Sequence, residues 1–152
     1  RIRFFHNLRL ELPEPNQLRL ILGEIRSLFY SHPEVLPATV SVRFEKIDDA
    51  TAIIRIDAGV NTGEYQVYLA IAEDINLRII EIVHGAGAMF SGPGQNMVLR
   101  EARPEDAEHI ANADQIIERL RAEEKLPFPN FSAQEIADLG GTLDYPPKGS
   151  AG

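Results

Sequence analysis

A chain of 152 residues that is 44% hydrophobic and 25% charged has the balance of an ordinary globular protein, one domain with or without appendages. It holds no cysteine, which excludes disulfides, thiolate zinc sites and cysteine nucleophiles and fits a reducing compartment. Its net charge of −8 disfavours nucleic acid as a partner, and no apolar run nears the roughly 20 residues that span a bilayer, so no direct membrane insertion is expected.

The chain opens at Arg1 without methionine and enters an extended pattern at once, which gives the expectation of a piece cut from a longer protein or of a chain whose disordered start is left out. Leu8, Leu10 and Leu12 alternate with Arg9 and Glu11, the period of a half-buried strand. Pro13 and Pro15 end it, and Pro15 suits a first helical position, where its missing N–H costs nothing. Leu18, Ile21, Leu22, Ile25, Leu28 and Phe29 share one stripe and predict an amphipathic helix over residues 15–31, stopped by His32-Pro33. Val40, Val42 and Phe44 alternate with Ser41, Arg43 and Glu45, a second strand with Phe44 turned to the core. Asp48-Asp49 makes a turn. Ala52, Ile54, Ile56 and Ala58 form a third strand, with Arg55 and Asp57 on its other face.

Asn61-x-x-Glu64 resembles a capping box for a second helix, whose buried stripe is Tyr68, Ile71, Ile75, Ile79 and Ile82. Gly85 is expected at the left-handed position after it. "QNMVLRE", residues 95–101, reads as a fourth strand. The order βαββαβ predicts an α+β fold: a ferredoxin-like sandwich, a four-stranded antiparallel sheet with two helices on one face. It occupies residues 1–101, and residues 102–152 form a C-terminal helical extension.

The extension carries the acidity. Residues 101–152 hold 11 acids and 5 bases, against 12 and 10 in residues 1–100. Pro104, Glu105 and Asp106 start a third helix, in which Ile110, Ala113, Ile117 and Leu120 form a narrow seam. That seam packs either onto its own domain or onto a neighbouring subunit. Ser132 and Glu135 make a capping box, with Phe131 and Ile136 as its hydrophobic staple, and Gly140 ends that short helix. "DYPPKGSAG" reads as a loose tail.

The most suggestive stretch chemically is "HGAGAMFSGPGQNMVL", with Gly85, Gly87, Gly92 and Gly94 close together. A dinucleotide loop needs a strand, then glycines, then a helix whose N-terminus takes the phosphate. Here a helix precedes and a strand follows, and the lysine and hydroxyl of a P-loop are missing. The glycines are therefore read as structural, with Met89 and Phe90 plugging back into the core and Gly92-Pro93-Gly94 turning the chain. His6, His32, His84 and His109 lack partners at metal-ligand spacing and read as surface or loop residues. Glu73-Asp74 reads as solvated charge. No nucleophile has a base beside it, so no catalysis, cofactor or metal is expected.

The fold's functional templates fit poorly. An RNA-binding sheet stacks bases on exposed aromatics. Here the open face carries Arg9, Glu11, Arg43, Glu45, Arg55 and Asp57, a mixed salt-bridging surface. "LPEPNQL" lacks the glycine and arginine of an acylphosphatase cradle and the glycine of an amino-acid-sensing ACT domain. What remains is an interaction module.

Three stretches together resemble a family. "YQVYLAIAEDINLRIIEIVHGAGAMF" is similar to the last helix of the cytoplasmic domain of MscS-type small-conductance mechanosensitive channels, through Glu73, Asp74, Ile75, Leu77, Arg78, Ile79, Ile80, Ile82, Val83, Ala86 and Gly87, then Met97-Val98-Leu99. "NLRLELPEPNQLRLILGEIRSLFYSHPEV" resembles its strand and helix ending in a His-Pro-x-Val turn, here His32, Pro33 and Val35, and "VRFEKIDDATAIIRIDAGV" its hairpin. The resemblance covers about residues 3–101. It departs where the family commonly reads Phe-Pro-Ser-Gln-Thr and this chain has Gly92-Pro93-Gly94-Gln95-Asn96.

The resemblance implies a homo-oligomer, a heptamer, forming a hollow cage with side portals on the cytoplasmic side of the inner membrane. The pore helices and a β domain lie upstream in the same chain. The cage filters solutes and supports gating under osmotic stress, without catalytic residues. Asn96, Met97, Val98 and Leu99 are then the expected subunit contact, joined by Ile110, Ile117 and Leu120 of the extension. The alternative is a stand-alone ACT-like regulatory domain binding a small molecule at a dimer interface.

Overall fold

The computed structural model describes residues 1–92 and 103–151. The elements are β1 (Ile2–Glu11), α1 (Pro15–Ser31), β2 (Val35–Asp48), β3 (Thr51–Val60), α2 (Tyr65–Gly85), α3 (Pro104–Ala122) and α4 (Ala133–Leu139). Helix α1 runs as its stripe predicts. Pro15 opens it, and the Gln17 side chain accepts from the Glu14 amide at 3.0 Å. Gln17 then donates to Ala86 O at 2.9 Å, tying the start of α1 to the exit of α2.

The three strands make one antiparallel sheet in the order β1-β3-β2. The register sets Leu8 opposite Ile54 and Leu10 opposite Ala52, so one face of the sheet is continuously apolar. Both helices pack on that face. Phe4, Ile54 and Ile56 of the sheet, Ile21, Ile25 and Phe29 of α1, and Ile75 of α2 are all fully buried in the shared core. The expected fourth strand, residues 95–101, lies outside the described residues. The chain does reach the free edge of β1 just before it: Phe90 bridges Leu10, Glu11 N–H donates to Met89 O at 2.9 Å, and Ser91 N–H to Arg9 O at 2.8 Å.

Several local expectations are corrected. Phe44 sits opposite Ile54 on the core side, yet it is 38% exposed. Among the described residues β2 has a strand neighbour on one side only, and a register shift follows between Phe44 and Lys46. The hairpin turn is centred one residue later than Asp48-Asp49. Asp48 pairs with Thr51, and Asp49 and Ala50 both take positive φ, 51° and 59°, as a two-residue type I′ turn requires. Asn61 does not cap α2, whose N-cap position is Glu64; the Asn61 amide donates to Glu34 O at 2.8 Å beside the β2–β3 pairing. The helix starts after Glu64, whose own amide donates to Thr62 Oγ1.

Gly85 is the last residue of α2, and the left-handed position falls at Gly87, φ +79°. A Cβ on Gly87 would lie 2.5 Å from the His109 Cβ, so this glycine also lets α3 approach. Phe90 is half-buried against the core as expected, whereas Met89 is exposed.

Helix α3 packs on α1, with Ala113 buried and Asn16 Nδ2 donating to Asp114 at 2.9 Å. The Ser132–Glu135 capping box forms at the head of α4. The stretch entering the expected loose tail returns to the domain: the Leu143 amide donates to Ser31 O at 3.1 Å, and Asp144 and Tyr145, the first two residues of that tail, meet Arg78 and His32.

Candidate functional site

The residues expected at a subunit contact divide into two groups. Asn96, Met97, Val98 and Leu99 lie outside the described residues. On α3, Ile117 is 1% exposed within the chain, while Ile110 and Leu120 are half-buried. The seam of α3 therefore serves its own domain first.

A second apolar surface was not read from the sequence. Helix α2 buries Ile71, Ile75 and Ile79, but Tyr65, Leu69, Leu77 and Ile80 remain 40–62% exposed. The signal was present: α2 is apolar over more than the single stripe that the core needs. The open sheet face is also more structured than a mixed charged surface. Arg3 donates to Asp57 at 2.6 and 2.8 Å. Arg3 and Arg55 both lie over the exposed Phe5 ring, 4.6 and 5.1 Å from its centroid. Arg43 faces Arg55 across the strands and donates instead to Pro129 O.

Arg26 joins the extension to the domain. It is 3% exposed on α1. Its Nε and Nη2 donate to Val42 O, and Nη1 donates to Pro127 O at 2.9 Å. Its guanidinium also lies over the Phe128 ring at 4.6 Å. Val42 is on the free edge of the sheet, so one arginine satisfies an edge carbonyl and holds the returning chain over it. Burial, with Arg43 nearby, pushes this guanidinium down to about 10, which leaves it charged at neutral pH. One turn on, Tyr30 Oη accepts from Asn130 Nδ2 at 2.6 Å, and its ring meets Phe131 edge-on.

The polar centre of the domain lies where α1 ends beside α2. His32 lies in the loop that follows α1, as one of its two expected readings has it, but it is not on the surface, and Asp74 is not the solvated charge expected. His32 is 1% exposed. Its Nδ1 accepts from the Glu34 amide at 3.2 Å, which puts the neutral ring's proton on Nε2, 3.4 Å from Asp74 Oδ2. Asp74 also receives Arg78 Nε at 2.9 Å. Burial holds the His32 imidazole below its ordinary value, against the pull of Asp74 toward the charged ring. Asp74–Arg78 is an i,i+4 pair legible in sequence, but His32 lies 42 positions before Asp74 and joins it through the packing of α1 on α2.

Among the described residues there is no cluster of metal-ligating side chains, and no helix is long and apolar enough to cross a membrane.

Comparison with known proteins agrees with this architecture. A family model described as "Mechanosensitive ion channel MscS, C-terminal" matches residues 14–90. An uncharacterised MscS family protein of Aquifex aeolicus is 41% identical over 86 residues, 56% of this chain and 23% of that protein. The low conductance mechanosensitive channel YnaI of Escherichia coli is 28% identical over 86 residues, 56% of this chain and 25% of that protein. The chain thus spans about a quarter of the length of these curated relatives. The cryo-EM structure of Arabidopsis thaliana MSL1 superposes with a TM-score of 0.55 over 59% of this chain and 33% of that one, at 12% identity, a likeness of fold. The matched residues build α1, β2, β3 and α2, they include the His32-Pro33 turn and the Asp74–Arg78 pair, and the chain belongs to the MscS family of mechanosensitive ion channels, whose C-terminal domain it carries.

Proposed function

We propose that this chain is the cytosol-facing part of an MscS-type channel, a non-catalytic assembly module that contributes to an oligomeric cage below the pore. The observation that carries this reading is the family match over residues 14–90, the continuous unit from α1 to the exit of α2. A module of this kind acts by shape and by contact. It supports gating and filters solutes by holding a fixed wall around the vestibule. Membrane attachment on the cytoplasmic side of the inner membrane comes from pore helices upstream, followed by a β domain.

The proposed assembly is a homo-oligomer, seven copies by resemblance. A four-stranded ferredoxin-like sheet, with Asn96, Met97, Val98 and Leu99 at the subunit contact, belongs to this proposal. The half-buried Ile110 and Leu120 are the extension's remaining contribution. The exposed Tyr65, Leu69, Leu77 and Ile80 of α2 support an assembly role, because apolar side chains left in water on one helix are surface that a neighbouring subunit can cover.

Cross-linking of the full-length protein in its native membrane tests this reading. The expected result is a ladder of rungs ending at seven. A ladder that stops at two contradicts the cage and favours the small-molecule-sensing alternative. Val98→Asp in the full-length protein should shorten the ladder while this domain stays folded. Unfolding of the domain by Val98→Asp would place that strand inside the domain core instead.

A further inference from the structure

The cage reading leaves the polar centre at the end of α1 without a use. His32 Nε2 is buried, with Asp74 Oδ2 3.4 Å away and no closer hydrogen-bond partner among the described residues. His32, Asp74, Arg78 and Ser31 all fall within residues 14–90, whereas the segment seated on them, Leu143 to Tyr145, falls outside. Each residue of that segment makes a different contact. The Leu143 amide donates to Ser31 O, a carbonyl that α1 leaves open at its end. Asp144 receives Arg78 twice, Nη1 on its carboxylate at 3.2 Å and Nη2 on its main-chain oxygen at 2.8 Å. The Tyr145 ring lies over the His32 ring, centroids 4.8 Å apart. Beyond Leu143 an open groove of about 410 Å³ continues between α1 and α2, lined by Glu24, Ser27, Arg78, Glu81 and Ile82.

We infer that this end of the domain is a peptide-recognition socket for an acidic-aromatic segment, Asp followed by Tyr, and that the chain's own residues 143–145 are its occupant. The socket divides recognition among distinct groups. A helix-end carbonyl fixes the direction of the peptide, the Arg78 fork reads a carboxylate together with its main-chain oxygen, and the His32 ring takes the aromatic face. Asp74 positions that apparatus, bridging Arg78 and His32 from one carboxylate oxygen. The hold is exchangeable. The Asp144 side chain is 63% exposed, so its bridge to Arg78 competes with water and salt. The groove past Leu143 is room for a longer segment than the one that now fills the socket.

Amide hydrogen exchange on the full 152-residue chain tests the inference. The Asp144→Ala, Tyr145→Ala double variant should speed exchange of the Leu143 amide by roughly tenfold or more, while the core amide of Ile54 keeps its protection. Arg78→Gln asks the same question from the socket side and should give the same release. A synthetic peptide of residues 141–148 should then bind the double variant and shift the resonances of Ser31 and Arg78, and should bind the unmodified chain more weakly because its socket is filled. Equal Leu143 exchange in unmodified and variant chains overturns the inference, as does a peptide that leaves Ser31 and Arg78 unmoved. Protection of Leu143 that disappears on dilution overturns the assignment of the occupant, giving the socket to the tail of a second copy.

Discussion

The residues from β1 to α2 and those from α3 to the tail are held by different physics. The first group shares one core, in which Phe4, Ile21, Ile25, Phe29, Ile54, Ile56 and Ile75 are fully buried, so each apolar side chain is backed by several others. The second group reaches that core only at its margin, through Ala113 and the half-buried Ile116, Phe128, Leu143 and Tyr145, and is fastened by separate polar anchors: Arg26 on Pro127, Tyr30 on Asn130, Arg78 on Asp144, and Ser31 on Leu143. Damage to the core should spread through the whole domain. Damage to an anchor should stay local to the strap that it fastens.

The largest effect is expected in the shared core. Ile54→Ala removes a fully buried branched side chain and should cost about 4 kcal/mol, read as a lower denaturant midpoint with one cooperative transition. A small loss confined to the extension would break the comparison. Arg26→Ala comes next, at about 3 kcal/mol, because it leaves the Val42 and Pro127 carbonyls without their buried donor. Its signature should be loss of protection at the Phe128 amide, which donates to Leu126 O, ahead of Ile56. Arg26→Lys should rescue it poorly, since one ammonium cannot reach both carbonyls and lie on Phe128.

Smaller effects sharpen the boundary between the two regions. Gly87→Ala should cost about 2 kcal/mol, from positive φ and from the collision with His109, and should loosen α3. Gly85→Ala meets nothing within 4 Å and lies in the last turn of α2, so it should be neutral or slightly stabilising. Equal costs at the two glycines would contradict the account of the α2 exit. The smallest effect is pH dependence. Burial keeps the folded His32 below its ordinary value of 6.5, so the unfolded chain takes up the proton first as pH falls. The stability that this group contributes is therefore complete at neutral pH and is lost below about 6.5, at no more than ~1.4 kcal/mol per pH unit. Urea titrations between pH 7.5 and 5 should show that loss, and His32→Asn should remove it.

The elements were legible from periodicity. The stripes of α1 and α2, the alternation in β3 and the Ser132 capping box each express a local rule about which residues share a face, and local rules survive without tertiary knowledge. The misplaced details depend on distant residues. Asn61 stands at capping-box spacing, yet its amide is tied to Glu34 and the cap of α2 falls at Glu64, and the room that Gly87 leaves is filled by His109 of α3. Asp74 looks solvated until α1 brings His32 to it. Arg26 appears as one more charge on an amphipathic helix, and nothing within its own turn shows that it fastens a loop 101 positions away. The family resemblance was legible where these long-range partners are themselves local landmarks, the His32-Pro33 turn and the Asp74–Arg78 pair, and residues 14–90 contain both.

The most direct measurement concerns the whole protein from which this domain is read. An antibody raised to these residues, applied to fractionated source cells, reports the apparent mass and the membrane partition of the antigen. A band well above 16.9 kDa in the membrane fraction is expected if the proposed pore helices lie in the same chain. A band near 16.9 kDa in the soluble fraction would contradict that proposal and leave a domain of this family working without a pore.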